Sequence, residues 1–154
     1  MYDEIRQHLK EMLESGIIRE SCSPWSSNVV CVRKKNGRLR LCIDFRKLNA
    51  RTVQDSYALP RIEDTLDSLS GSKIFSTLDL RSGYYQVEIE ENDKSKTAFS
   101  VDRLGFFEFN RMAFGLTNAP ATFQRLVERC LHDLSMKECC LYLDDIIVFS
   151  SNIE

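Results

Sequence analysis

Apolar positions along the chain change period several times, and each change marks an element. Ile5, Leu9, Met12 and Leu13 fall on one helical face, which predicts a helix over 4–15 with Gly16 as its stop. Serines, Pro24 and Asn28 then mark a loop. A strand is expected from Val29 to Lys35. Leu39, Leu41 and Ile43 alternate on a returning strand, so Asn36-Gly37 reads as a two-residue hairpin turn. After Pro60, apolar residues at 62, 66 and 69 predict a short helix over 61–69. Lys73–Leu80, Tyr85–Glu90, Thr97–Val101 and Phe106–Phe109 read as strands, the last two around a turn at 102–105. Residues 119–134 place Phe123, Leu126, Val127, Cys130 and Leu134 on one helical stripe. Cys139–Ile147 is apolar except at Asp144-Asp145, and Val148 and Phe149 follow. Helices and strands alternate irregularly, which predicts an α+β fold rather than a doubly wound parallel sheet. No repeat or composition break marks a linker. The sequence ends just after its last strand, so it reads as cut from something longer.

Composition narrows the function classes. The 154 residues are 43% hydrophobic and 29% charged, enough for one domain with a real core. No window approaches ~18 uninterrupted apolar residues, so no membrane span is expected. The first residues are too polar for a signal-peptide core. A net charge of −2 excludes a globally basic nucleic-acid binder but leaves room for a local basic surface. The six cysteines form no C-x-x-C, and His8 and His132 are the only histidines, so a Cys/His metal site is not expected. Reduced thiols in an intracellular compartment are expected instead. Cys130, Cys139 and Cys140 read as small core residues.

The carboxylates carry the candidate chemistry. Asp144-Asp145 interrupts an apolar strand pattern, where two unpaired buried anions cost several kcal/mol. A tight turn at the pair would lift both toward one cavity; an exposed acidic turn is the bland alternative. Asp79 also ends an apolar strand, Ile74–Leu78. If that strand neighbours the hairpin, three carboxylates converge and repel unless cations neutralise them. Hard divalent ions take oxygen ligands, and Mg²⁺ suits a few carboxylates plus substrate phosphates. Residues 33–47 hold seven cations against Asp44, a net charge of +6. Such a run is commonly a solvated face, but alternation lets a hairpin present cations on one side and pack the other.

Longer motifs add a resemblance. Phe75-Ser76-Thr77-Leu78-Asp79-Leu80-Arg81-Ser82-Gly83-Tyr84, Phe114-Gly115-Leu116-Thr117-Asn118-Ala119-Pro120-Ala121-Thr122-Phe123-Gln124 and Tyr142-Leu143-Asp144-Asp145, together with Leu41–Asn49, closely resemble reverse transcriptases of long-terminal-repeat retrotransposons, nearest to the Ty3/gypsy group. The resemblance runs over essentially the whole chain. It implies a right-hand polymerase, with fingers at about 1–54 and 88–118 and palm at about 55–87 and 119–154, truncated before the thumb. Thumb, connection and RNase H regions would follow in a parent Pol polyprotein, in a DNA-integration context, located in a cytoplasmic particle or the nucleus. The implied reaction is attack by a primer 3′-hydroxyl on the α-phosphate of a deoxynucleoside triphosphate over an RNA or DNA template.

The resemblance also assigns roles. Asp79, Asp144 and Asp145 match the metal-binding aspartates for two Mg²⁺ ions, with Mn²⁺ able to substitute. The Leu80 carbonyl would complete the nucleotide-side metal shell. Tyr84 matches the aromatic beneath the incoming sugar that excludes a 2′-hydroxyl; from pattern alone a core tyrosine is the competing reading. Lys34 and Arg40 match the residues that hold the triphosphate, Arg40 with a fork suited to phosphate oxygens. Phe114 and Gly115 lie at the nucleotide; lentiviral relatives carry glutamine where Phe114 stands, and phenylalanine is usual in the gypsy group. Leu143 would sit against the primer terminus. Trp25 resembles a fingers loop near the template, with core packing as the alternative. Two other function classes remain open at this level. One is an incomplete element that at most binds nucleic acid. The other is a different metal-dependent phosphoryl-transfer enzyme, a nuclease or nucleotide cyclase.

Overall fold

In a computed structural model, the structure describes residues 2–33, 37, 39–58, 61–134, 137–142 and 145–152. In chain order, the first half comprises α1 (Tyr2–Glu14), β1 (Ile18–Glu20), β2 (Asn28–Arg33), β3 (Leu39–Asp44), α2 (Arg46–Asn49), α3 (Ile62–Ser68) and β4 (Ile74–Asp79). The second half comprises α4 (Glu91–Lys94), β5 (Phe99–Val101), β6 (Gly105–Phe109), α5 (Ala119–Leu131), β7 (Cys139–Tyr142) and β8 (Asp145–Ser150). The mixture is α+β, and the helices and strands fall into two compact units. No described helix is long and apolar enough to cross a membrane.

The first unit holds residues 1–53 and 84–119. Its core joins Ile5, Leu9 and Met12 of α1 to Ile18, Phe45, Phe99, Phe107, Phe109 and Ala113. Burying the Ile, Leu, Met and Phe side chains of this set yields about 1.5–3 kcal/mol each relative to exposure, before conformational entropy is set against it. One antiparallel sheet runs β1-β6-β5, with Ile18 opposite Phe109 and Phe99 opposite Phe107. The β2-β3 hairpin is a second sheet, with Leu39, Leu41 and Ile43 turned toward the core and Arg40 exposed. The last described rung pairs Arg33 with Leu39. Asn36 of the expected Asn36-Gly37 turn lies outside the described residues. Gly37, at φ 78°, takes the left-handed conformation that favours glycine.

The second unit holds residues 54–83 and 120–154. Its antiparallel sheet has the order β4-β8-β7. Cys140, Leu141, Ile146, Phe123 and Val127 are buried.

Several expectations are corrected. No strand forms over Tyr85–Glu90. A 3₁₀ turn at Gly83–Gln86 occupies its start, and one isolated rung, Glu88 opposite Arg111, follows. The short elements β1, α2 and α4 carry too few residues for a period to show. On α3 the buried residue is Thr65, while Ile62 and Leu66 are 59% and 60% exposed. On α5 only Phe123 and Val127 of the expected stripe are buried; Leu126, Cys130 and Leu134 are exposed. Cys130 is therefore not a core residue, whereas Cys139 and Cys140 are buried. In their place on α5, the polar Gln124 is fully buried.

Candidate active site

The strands of the second unit bring two of the three predicted aspartates together. The β-branched and aromatic run Ile74–Thr77 favours a strand, and so does Ile146–Phe149. Their register pairs Phe75 with Phe149, Thr77 with Ile147 and Asp79 with Asp145. Directly opposed residues in an antiparallel pair share a face, with Cβ atoms about 4.5–5.5 Å apart. Asp79 and Asp145, 66 positions apart in the chain, therefore stand side by side, and both are exposed. Asp145 also pairs with Tyr142, so it opens β8 instead of lying in the turn. Leu143 and Asp144, which connect these two residues, lie outside the described residues, as does Lys34. Leu80 follows β4 directly and is half-buried.

This donor set fits a hard divalent cation. Opposed carboxylates destabilise an isolated sheet, and an oxygen-seeking cation converts that repulsion into ligation. Among the described residues no three carboxylate, histidine or cysteine side chains gather, so the described part of the cluster is this pair.

Polar side chains brace the sheet from α5. Gln124 donates from Nε2 to Glu128 Oε1 at 2.7 Å and to the Leu141 carbonyl at 3.3 Å. Leu141 lies one residue before Tyr142, the rung partner of Asp145. The Tyr57 hydroxyl donates to the other Glu128 oxygen, an arrangement that raises the phenol above its ordinary value. Arg125 reaches Asp55 at 2.5 Å and lies over the Tyr57 ring. The Tyr57 backbone N–H and then Arg125 hold the Asp55 carboxyl below the usual range. Gln124 belongs to a quoted motif, but its amide reads from sequence only as a polar interruption of the stripe.

In the first unit, Arg40, Tyr84, Tyr85, Phe114 and Gly115 gather. The Arg40 guanidinium lies 5.9 Å from the centre of the Phe114 ring. The Phe114 and Tyr84 ring centres are 4.8 Å apart, and Tyr85 meets Phe114 edge-on at 5.5 Å. Burial pushes the Tyr85 phenol above its ordinary value, and Arg40 opposes that shift. Tyr84 is 9% exposed, Phe114 38%. Gly115 has φ 92°, a conformation that favours glycine. Asn49 clamps this loop: its Nδ2 donates to the Gly115 carbonyl at 2.7 Å, and its Oδ1 accepts the Thr117 N–H at 2.9 Å. Asn118 donates to the Val53 carbonyl at 2.9 Å. Asn49 ends a quoted motif, yet nothing in the sequence alone shows what its amide holds. Trp25 is 53% exposed, so the core-packing alternative does not hold.

Comparison with known proteins adds the following. The sequence profile described as "Reverse transcriptase (RNA-dependent DNA polymerase)" matches residues 32–154. The chain is 44% identical to the retrovirus-related Pol polyprotein from transposon 297 of Drosophila melanogaster, over 97% of this chain and 14% of that protein. It is 45% identical to the corresponding polyprotein from transposon gypsy of the same organism, over 97% of this chain and 15% of that one. The chain thus spans only a small part of the curated relatives it matches. A solved foamy viral protease-reverse transcriptase, in complex with an RNA/DNA hybrid, superposes with a TM-score of 0.87 at 23% identity, covering 98% of this chain and 20% of that one.

Proposed function

The chain belongs to the reverse transcriptase family, and from that premise we propose that it forms fingers and palm of an RNA-directed DNA polymerase. Fingers are read over about 1–54 and 88–118, and palm over about 55–87 and 119–154. The observation that carries the reading is the shared rung of Asp79 and Asp145. A structural role gains nothing from two opposed, exposed carboxylates at adjacent strand ends; ligation of divalent cations does.

In this reading Asp79, Asp144 and Asp145 hold two Mg²⁺ ions, or Mn²⁺, with the Leu80 carbonyl as a further oxygen. When bound, the ions supply Lewis acidity and offset the charge on phosphoryl oxygens. The chain's other residues bind and select. Lys34 and Arg40 hold the triphosphate of the incoming deoxynucleotide, Arg40 through its planar fork. Tyr84 closes the space a 2′-hydroxyl would occupy and so selects deoxyribose by clash. Gly115 lets the backbone approach the nucleotide. Template and primer are RNA or DNA strands.

The test uses the longest natural chain that carries these residues, a primed homopolymer template, Mg²⁺ and a labelled deoxynucleotide. Incorporation is expected, with a fall of at least ~100-fold in Asp79→Asn and in Asp145→Asn, since each removes a charge that acts in the transition state. Full activity in either variant would sink the assignment. Binding of primed template without incorporation would leave the chain a nucleic-acid binder. Release of short oligonucleotides or a cyclic nucleotide would point to different phosphoryl transfer.

A further inference from the structure

We propose that Phe114 is a positioning residue that couples triphosphate binding to sugar selection, because a single ring touches both groups. This rests on the polymerase reading above. The ring presents its face to the Arg40 guanidinium at 5.9 Å and packs against Tyr84 at 4.8 Å between centroids, tilted by 46°. A cation over an aromatic face is held by the ring quadrupole, and tilted aromatic pairs hold each other's orientation.

The ring is itself fixed. Ala113 on one side is 1% exposed, and Gly115 on the other is tied to Asn49 through its carbonyl. Tyr85 closes the edge at 5.5 Å and stacks on Phe109 of the core at 6.3 Å. The row Arg40, Phe114, Tyr84 therefore behaves as one preorganised surface instead of three independent side chains. Arg40 on β3 lies over the ring, and Tyr84 packs against it. Preorganisation of this kind lowers the ordering cost of binding.

Side-chain chemistry separates the two halves of the role. Leucine keeps the bulk that supports Tyr84 but has no π face for Arg40. Alanine removes both, and tyrosine keeps both. In the full natural chain, Phe114→Leu is expected to raise KM for the deoxynucleotide about two- to five-fold, the size of an exposed cation–π contact, with the change falling on KM rather than kcat. Discrimination against ribonucleotides stays near its original value in that variant. Phe114→Ala raises KM likewise and also lowers sugar discrimination by roughly ten-fold or more. Phe114→Tyr recovers the losses seen in Phe114→Ala. Arg40→Ala and Tyr84→Ala serve as references for each half.

The inference is overturned if Arg40→Ala raises KM while Phe114→Leu and Phe114→Ala keep native KM and native discrimination; the polymerase reading survives that result. It is also overturned if both Phe114 variants lose kcat alone, which marks a merely structural ring. If Phe114→Ala fails to fold by circular dichroism, the KM shift in Phe114→Leu decides. An unmutated chain that extends no primer removes the polymerase reading, and this inference with it.

Discussion

At Gly83 the protein has no room for a methyl group. A Cβ there would stand 2.7 Å from Phe123 Cζ, and Phe123 is 1% exposed, so its ring has nowhere to go. Gly83→Ala should cost about 1–3 kcal/mol through overpacking. A melting curve checks it; an unchanged midpoint would mean that the ring yields freely. Legibility at this scale was uneven. Asp79 and Asp145 stood out because anions at the ends of apolar strands need a reason. Gly83 was legible only as part of a motif, since a missing side chain does not announce which ring fills its place. Asn49 and Gln124 were silent for a related reason. A polar side chain shows its type in the sequence, whereas its partners, the Gly115 and Leu141 carbonyls, are chosen by folding.

Among elements, the long periodic ones were readable and the faces of the short ones were not. The helix α1 buries Ile5, Leu9 and Met12, as its spacing predicts. On α3 and α5 the apolar stripe and the buried face disagree. Burial there follows the sheet beside them, with Ser68 facing Cys140 and Gln124 reaching Leu141. The β2-β3 hairpin turns Leu39, Leu41 and Ile43 to the core, as their alternation predicts. Gln124 gives the direct test of how α5 supports β7. Gln124→Leu leaves Leu141 and Glu128 without this donor and should cost about 1–3 kcal/mol. Urea unfolding measures it, and an unshifted midpoint would show that the amide does not brace the strand.

For the molecule as a whole, exposed and half-exposed ion pairs make stability depend on acid. In the first unit, Arg19 reaches Glu91 at 2.6 Å and Glu108 at 2.7 Å, and Lys94 reaches Glu91 at 2.7 Å. Hydrogen bonds from Lys94 and Arg19 hold the Glu91 carboxyl below its ordinary value. The Arg46 side chain, and then its backbone N–H, lower Asp44 from 3.8 to about 2. A carboxyl depressed on folding stabilises the native state fully above its unfolded value and loses that contribution as pH falls through its folded value. For Asp44 that window runs from about 4 down to about 2. Stability should therefore decline below about pH 4, with a shallower decline in Asp44→Asn. Urea midpoints at pH 6, 4 and 3 check this, and equal slopes in the two chains would remove Asp44 as a contributor. No composition break marks the two units, because each is assembled from two separated stretches; in the sequence only the family resemblance implied a two-part division.

The sequence by itself determined the α+β class, the principal strands and the family, because hydrophobic period and motif order are properties of neighbours along the chain. It also singled out Asp79 and the Asp144-Asp145 pair. Only the tertiary structure decided that Asp79 shares a rung with Asp145 and that one phenylalanine ring meets both Arg40 and Tyr84. Those are contacts between distant stretches, and packing chooses them by what each side chain must bury and what each polar group must satisfy.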